Sequence, residues 1–325
     1  MKNIPESVIC EAAKLFGIDE SRLAFLKAGA DDGTLYEYHD EKSWILKIIT
    51  MPESEPDQVR RTTERLKLFN YLGSNGVSVV YPHPSTGGNL WERIESRDMV
   101  YIAYIMSKVS GQHVDIQDPD KWNETFFTRW GNVIGEFHAW ARKYPNWQGS
   151  LEGESSDLPL LGWQQEWEFF DSVCQDDAVR EKWRDLKGCL DQLPVERDCF
   201  GFIHNDPHHG NLLIDGERVT LLDFDVTRCG WFMTDIAIAV HSAIWSNEGA
   251  FEQSQKDRGF AKRFLDSFMT GYEQANHIGQ TWFDHLETFL SYRRILLYIV
   301  FLCQHFDNLD AWRESIIHDA PIFSK

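Results

Sequence analysis

The residues of this chain whose types and spacing could carry chemistry are concentrated in one stretch. Phe202-Ile203-His204-Asn205-Asp206-Pro207-His208-His209-Gly210-Asn211-Leu212-Leu213-Ile214 sets a polar loop between apolar flanks, and Leu221-Leu222-Asp223-Phe224-Asp225 follows it. Polar side chains pinned between apolar runs are costly unless they coordinate or react. The Asp206 carboxylate can accept a hydrogen bond, and then the proton, from an attacking hydroxyl. Asn211 and Asp223 offer amide and carboxylate oxygens, which suit a hard cation such as Mg²⁺. Two other readings compete. His204, Asp206, His208 and His209 could hold Zn or Fe, since imidazole and carboxylate together suit those metals, but that set leaves Asn211 and Asp223-Phe224-Asp225 without a role. Ordinary turn chemistry accounts for Asn, Asp, Pro and Gly but not for their joint spacing.

These residues need elements to position them. Cys199 to Ile203 reads as a strand that enters the polar loop, and Leu212 to Ile214 and Val219 to Leu222 as two short strands joined by Asp215-Gly216. Around this insert the C-terminal part is helical, with amphipathic runs near 120–143, 160–175, 178–192, 248–276, 281–306 and 308–317. The first third alternates differently. A helix over Val8 to Phe16 precedes strands at Leu23 to Lys27, Leu35 to His39 and Trp44 to Ile49; a helix over about 58–72 follows; further strands are expected at Val77 to Tyr81, Leu90 to Glu95 and Met99 to Met106. The expected class is α+β, with an N-terminal lobe over 1–106 built on a small antiparallel sheet and a larger, mainly helical lobe over 107–325.

Asp206, an Asn five residues later and a second Asp twelve residues beyond that Asn match the layout with which kinases place a base and two magnesium ligands. At these residues the sequence resembles the aminoglycoside phosphotransferase and choline kinase family, which has a bilobal protein-kinase-like fold. His204-Asn205-Asp206 through Asn211 is similar to that family's HxDxxxxN loop, and Asp223-Phe224-Asp225 to its counterpart of the kinase DFG segment. The resemblance implies that Asp206 is the catalytic base, that Asn211 and Asp223 hold Mg²⁺, and that His204 supports the loop. It also implies that Asp235, in Phe232-Met233-Thr234-Asp235, opens the next helix.

The same resemblance assigns a nucleotide side, for ATP, to the first lobe. Lys47 is a single cation within the apolar Trp44-Ile45-Leu46-Lys47-Ile48-Ile49 and is expected to touch phosphate. Lys27 to Thr34, with Gly29 and Gly33, is the candidate phosphate cover, although it lacks a full GxGxxG and a plain hairpin turn explains it as well. Glu64 is the carboxylate offered to hold Lys47. The family's acid stands one position later, where this chain has Arg65, and one helical step turns a side chain by about 100°. Met106, the Ser107 carbonyl and the Val109 amide are implied at the adenine.

The resemblance implies a hydroxyl of a small molecule as the acceptor. Residues 1–105 hold 12 basic and 16 acidic residues, and 106–325 hold 20 and 35, so most of the net charge of −19 belongs to the second lobe. Trp163 and Trp167 lie one turn apart beside Glu166, and Asp225 follows Asp223. This combination suits a cationic alcohol such as an aminoglycoside or amino alcohol, whereas a core stripe of tryptophans and a solvated acidic face explain it too. Homoserine, protein Ser or Thr side chains, and a non-catalytic nucleotide-binding role within the same fold are the alternatives.

The charge excludes nucleic acid as a partner, because phosphate backbones are held by Lys and Arg. The six cysteines are dispersed, with no paired CxxC, and the first residues contain no apolar signal region. A cytoplasmic protein with reduced thiols is expected. The longest apolar run, Ile295 to Cys303, is too short to span a membrane and reads as a buried helix. No feature assigns an oligomeric state.

Overall fold

Alternating apolar residues build an antiparallel sheet in the first third of the chain. The computed structural model describes residues 4–28, 33–40, 42–145, 160–248, 258–318 and 321. After α1 (Glu6–Leu15) come β1 (Ala24–Ala28), β2 (Gly33–His39), β3 (Ser43–Pro52), α2 (Pro56–Ser74), β4 (Pro82–His83), β5 (Glu92–Ser96) and β6 (Met99–Ser107). The strands run in the order β1-β2-β3-β6-β4, and β5 also pairs with β6. Successive side chains of a strand point to opposite faces. Trp44, Leu46 and Ile48 therefore join a core cluster with Val8, Ala12 and Ala13 of α1. Ile49 and Met51, on the other face, pack in a cluster with Leu66 of α2. Lys47 shares that second face by the same alternation.

The chain divides into two units, Met1–Gly111 and Gln112–Lys325. The first ends beyond 106 because β6 runs on to Ser107 and the Lys108 amide donates to Ser43 O at 2.9 Å.

The second unit begins with α3 (Glu124–Ala141), which is capped by Asn123 Oδ1 accepting from the Phe126 amide at 3.1 Å. Then follow α4 (Trp163–Val173), α5 (Asp177–Leu190), β7 (Phe200–Ile203), β8 (Leu212–Asp215), β9 (Arg218–Leu221), β10 (Arg228–Trp231), α6 (Phe232–Glu248), α7 (Arg258–Tyr272), α8 (Leu286–Cys303) and α9 (Asp310–Ile317). β7 pairs with β10, and β8 with β9, both antiparallel. Helices α3 and α7 meet at backbone contact. A Cβ at Gly271 would stand 1.7 Å from Thr128 O, and one at Gly131 1.8 Å from Phe268 O. Only glycine permits that approach, and it fixes α3, which carries two side chains of the site.

Two expectations are corrected. Val77 to Tyr81 is not a strand: Val79 makes a single bridge, and the strand lies at Pro82–His83. Helix α6, the one expected to open at Asp235, has no amphipathic signal because Ile236, Ala237, Ile238, Ala239 and Val240 are all buried, which leaves no polar face to read. The run over 248–276 resolves into α7 from Arg258 onward, and residues 249–257 lie outside those described. Among the described residues no helix is long and apolar enough to cross a membrane.

Candidate active site

Strand β7 delivers the chain into the polar loop, and the loop is tied down group by group. Asp235, fully buried in the first turn of α6, accepts from the His204 amide through Oδ2 and from the Asn205 amide through Oδ1, each at 2.8 Å. The same Oδ2 lies 2.9 Å from His138 Nε2 of α3. The second nitrogen of His138 meets the Tyr272 hydroxyl at 2.9 Å, and that hydroxyl accepts from Asn276 Nδ2 at 2.7 Å. Burial lowers the His138 pKa, so the imidazole is neutral and joins as a hydrogen-bond bridge. From α3, Trp130 Nε1 donates to Pro207 O at 3.1 Å.

His204 is itself fully buried and has one consistent tautomer. Its Nδ1 accepts from the Asp206 amide at 3.2 Å, so Nε2 carries the hydrogen and donates to Leu222 O at 2.8 Å. That second bond ties the loop to the segment carrying Asp223. The β8–β9 hairpin adds another tie, since the Leu222 amide donates to Asn211 O at 2.9 Å. Asp206, Asn211 and Asp223 are thus assembled by backbone contacts on both sides. Asn211 Nδ2 donates to Asp206 O at 2.9 Å, which commits the amide nitrogen and leaves the oxygen Oδ1 for a cation.

Two backbone positions are strained. Asn205 has φ +70° and Asp223 φ +59°, in the left-handed region that L residues other than glycine seldom occupy. Asn205 is held there by Asp235 and by Glu166 of α4, whose Oε2 accepts from Asn205 Nδ2 at 2.9 Å. Asp223 keeps an exposed carboxylate despite its strain. An exposed carboxylate beside an amide oxygen is a hard-oxygen donor set, which fits Mg²⁺ better than Zn or Fe.

The histidines of the loop have other occupations. His208 Nδ1 accepts from the Gly210 amide at 3.0 Å. His209 Nδ1 lies 2.8 Å from Ser242 Oγ and 3.1 Å from Ser246 Oγ, and burial pushes its pKa down to about 4. Among the described residues no three His, Cys, Asp or Glu side chains are grouped to hold a metal ion.

Arg293, Arg228 and Tyr292, which the sequence does not single out, join Glu166 at the site. Arg293 of α8 places Nη2 2.5 Å from Asp206 Oδ1. Glu166 pairs with the buried Arg228 of β10 and accepts from the Tyr292 hydroxyl at 2.8 Å. Burial, and then the neighbouring Glu166 charge, push the Tyr292 pKa up, so the phenol stays protonated and donates.

Trp163 and Trp167 do not line an open acceptor surface. Both are buried; Trp167 and Trp183 donate Nε1 to each other's carbonyl oxygen at 3.1 Å, and Trp163 packs on Trp231. A cation already faces the pair, with Lys187 Nζ 5.7 Å from the Trp163 ring and 5.5 Å from that of Trp167. Asp225 is half-buried two residues after Asp223.

The nucleotide-side residues belong to the first unit. Lys47 is 6% exposed and stands opposite Leu35 of β2 and Tyr104 of β6. Glu64 is 7% exposed on α2, the helix that covers the Lys47 face of the sheet, and accepts from Lys67 Nζ at 3.2 Å. Arg65 is turned further toward solvent. Gly33 opens β2 opposite Ile49, whereas Gly29 lies outside the described residues. Met106 and Ser107 end β6, with Ser107 Oγ 2.9 Å from His83 Nε2, and Val109 follows, half-buried.

Comparison with known proteins gives the family and the fold. Residues 22–281 match the model of the phosphotransferase enzyme family. Amicoumacin kinase of Bacillus subtilis (strain 168) is 29% identical over 298 residues, which cover 90% of this chain and 83% of that protein. A solved structure of the amicoumacin kinase hAmiN in complex with AMP-PNP, Ca²⁺ and Ami has a TM-score of 0.83 at 25% identity, covering 98% of this chain and 95% of that one. A microcompartment-associated aminopropanol kinase shares the fold, with a TM-score of 0.66 at 18% identity over 97% and 94% of the two chains. The α+β, protein-kinase-like class expected from the sequence is the fold of these proteins.

Proposed function

The chain belongs to the phosphotransferase enzyme family, and on that premise we propose that it transfers the γ-phosphate of ATP, with Mg²⁺, to a hydroxyl of a small molecule of the amicoumacin or amino-alcohol kind. The observation that carries the reading is the assembly of Asp206, Asn211 and Asp223 by the β8–β9 hairpin and the buried His204. Asp206 accepts the hydroxyl proton while the acceptor oxygen bonds to the γ-phosphorus and the bond to ADP breaks. Asn211 Oδ1 and the Asp223 carboxylate are the ligands offered to Mg²⁺, which when bound supplies positive charge to phosphate oxygens.

In the first unit, Lys47 and Glu64 are two buried charges on facing surfaces of β3 and α2. Buried charges require partners, which supports Glu64 rather than the Arg65 position as the group that steadies Lys47 for the α and β phosphates. Gly29 and Gly33 are assigned to the phosphate cover, and Met106, Ser107 and Val109 to the adenine. Asp225 and the acidic surplus of residues 106–325 favour an acceptor that carries an amine.

The test is ADP release from ATP and Mg²⁺ in the presence of amicoumacin, an aminoglycoside, aminopropanol, choline or homoserine, with the product identified by mass. At least one acceptor is expected to stimulate release and to gain a phosphoryl group. No stimulation by any of them would favour a nucleotide-binding protein that has the fold without the activity.

The metal assignment makes a separate prediction. Asp223→Ala removes the charged ligand, so nucleotide affinity measured with Mg²⁺ should fall by about tenfold or more while affinity measured in EDTA stays level. Equal Mg²⁺ dependence in variant and wild type would remove Asp223 from the metal site.

A further inference from the structure

Asp206 is not a free carboxylate. Arg293, 87 residues further along the chain on α8, reaches it with Nη2 2.5 Å from Oδ1. The other carboxylate oxygen has only distant neighbours: Asn211 Nδ2 at 3.4 Å and His208 Nε2 at 3.5 Å. The contact is single rather than the two-pronged fork that arginine usually makes with a carboxylate. The arrangement carries a cost, because Arg293 Nε is buried without a hydrogen-bond partner, and an unpaired buried donor is destabilising. The residue before it is anchored too, since the Tyr292 hydroxyl donates to Glu166, which also accepts from Asn205. Helix α8 thus presents two consecutive side chains to the carboxylates on either side of the Asn205–Asp206 peptide.

We propose that Arg293 is a positioning residue: it locks Asp206 Oδ1 so that Oδ2 alone faces the acceptor, and thereby couples ATP cleavage to the acceptor's hydroxyl rather than to water. The inference rests on the reading of Asp206 as the base. A terminal carboxylate rotates broadly about χ2, and an unlocked one presents either oxygen, in many orientations, to whichever hydroxyl is nearest. Water tolerates that freedom because it is small and unbound and can take up an in-line position beside either oxygen. A bound alcohol does not, since its oxygen must meet both the proton acceptor and the phosphorus in one geometry. A latch on one oxygen therefore favours transfer over hydrolysis.

The experiment compares wild type, Arg293→Gln and Arg293→Lys, using ATP, Mg²⁺ and amicoumacin, or whichever compound of the acceptor panel the wild type phosphorylates. Thermal melting, KM for ATP, kcat and the ratio of phosphorylated acceptor to ADP are measured. For Arg293→Gln, kcat should fall about 10- to 100-fold and the ratio should drop well below that of wild type, with KM for ATP within about threefold. Arg293→Lys keeps a charge without the planar fork and should recover part of both the rate and the ratio. A purely structural role would lower the melting temperature and the active fraction but leave the ratio unchanged. A folded Arg293→Gln with wild-type kcat and ratio overturns the proposal, and if that variant fails to fold, a folded Arg293→Lys at wild-type kcat and ratio does so. Wild-type protein that releases no ADP with any acceptor overturns the proposed function, and this inference with it.

Discussion

Asp206→Asn is expected to lower turnover by about 10²- to 10⁴-fold, the range that a positioned proton acceptor contributes, while ATP binding stays within a fewfold of wild type. The substitution keeps the size and shape of the side chain but removes its ability to take a proton. It also removes the negative charge that Arg293 faces at 2.5 Å. The fold should survive this, because the Asp206 side chain is 29% exposed and an asparagine Oδ1 can still accept from Arg293, which is 13% exposed. The backbone ties of the loop do not involve the carboxylate: Asp206 N donates to His204 and Asp206 O accepts from Asn211 and His208. Nucleotide affinity should hold because Lys47, Glu64 and the residues assigned to adenine all belong to the other unit. Acceptor-stimulated ADP release gives the rate and a nucleotide titration gives the affinity. Turnover near the wild-type rate would mean that another group takes the proton.

The candidate residues that stand out in the sequence are those whose types conflict with their setting. Lys47 is a cation in an apolar strand, and Asp206, Asn211 and Asp223 are polar groups between apolar strands; each conflict signals a task because burial without one is costly. Arg293, Arg228 and Tyr292, and the task of Glu166 among them, carry no such signal for the opposite reason. Their partners lie far off in sequence, 126 residues for Tyr292 and Glu166, and an acid or arginine on an amphipathic helix looks like any solvated residue. The acidic surplus led the reading toward Trp163 and Trp167 as an aromatic surface for an acceptor, yet Lys187 of the neighbouring helix already supplies the cation. Composition reports how much charge a lobe carries, whereas pairing decides where any of it remains available. Helix α6 illustrates the same limit in the fold, since a helix buried on all sides has no polar face and hence no period.

Asp235→Asn should be the most destabilising conservative change in the site. Three donors converge on its two oxygens: the His204 amide and His138 Nε2 on Oδ2, and the Asn205 amide on Oδ1. An asparagine has one oxygen, so whichever way its amide is turned, an NH₂ group faces an N–H. Each donor left unsatisfied in a buried setting costs about 1–3 kcal/mol, and the whole network is buried, with Asp235, His138 and His204 each fully enclosed. A loss of about 1–3 kcal/mol is expected for each donor left unsatisfied, one or two of them depending on how the amide is turned. Activity should fall further than the folded fraction does, because the Asn205 amide at φ +70° loses its tether and the loop can relax toward ordinary backbone geometry. Thermal unfolding and the kcat of the remaining folded protein separate the two effects. If Asp235→Asn melted with wild type, the three donors would have other acceptors and Asp235 would not hold the loop. If it melted early but turned over normally per folded molecule, the left-handed conformation of Asn205 would be dispensable, and the His204 imidazole accepting from the Asp206 amide would suffice.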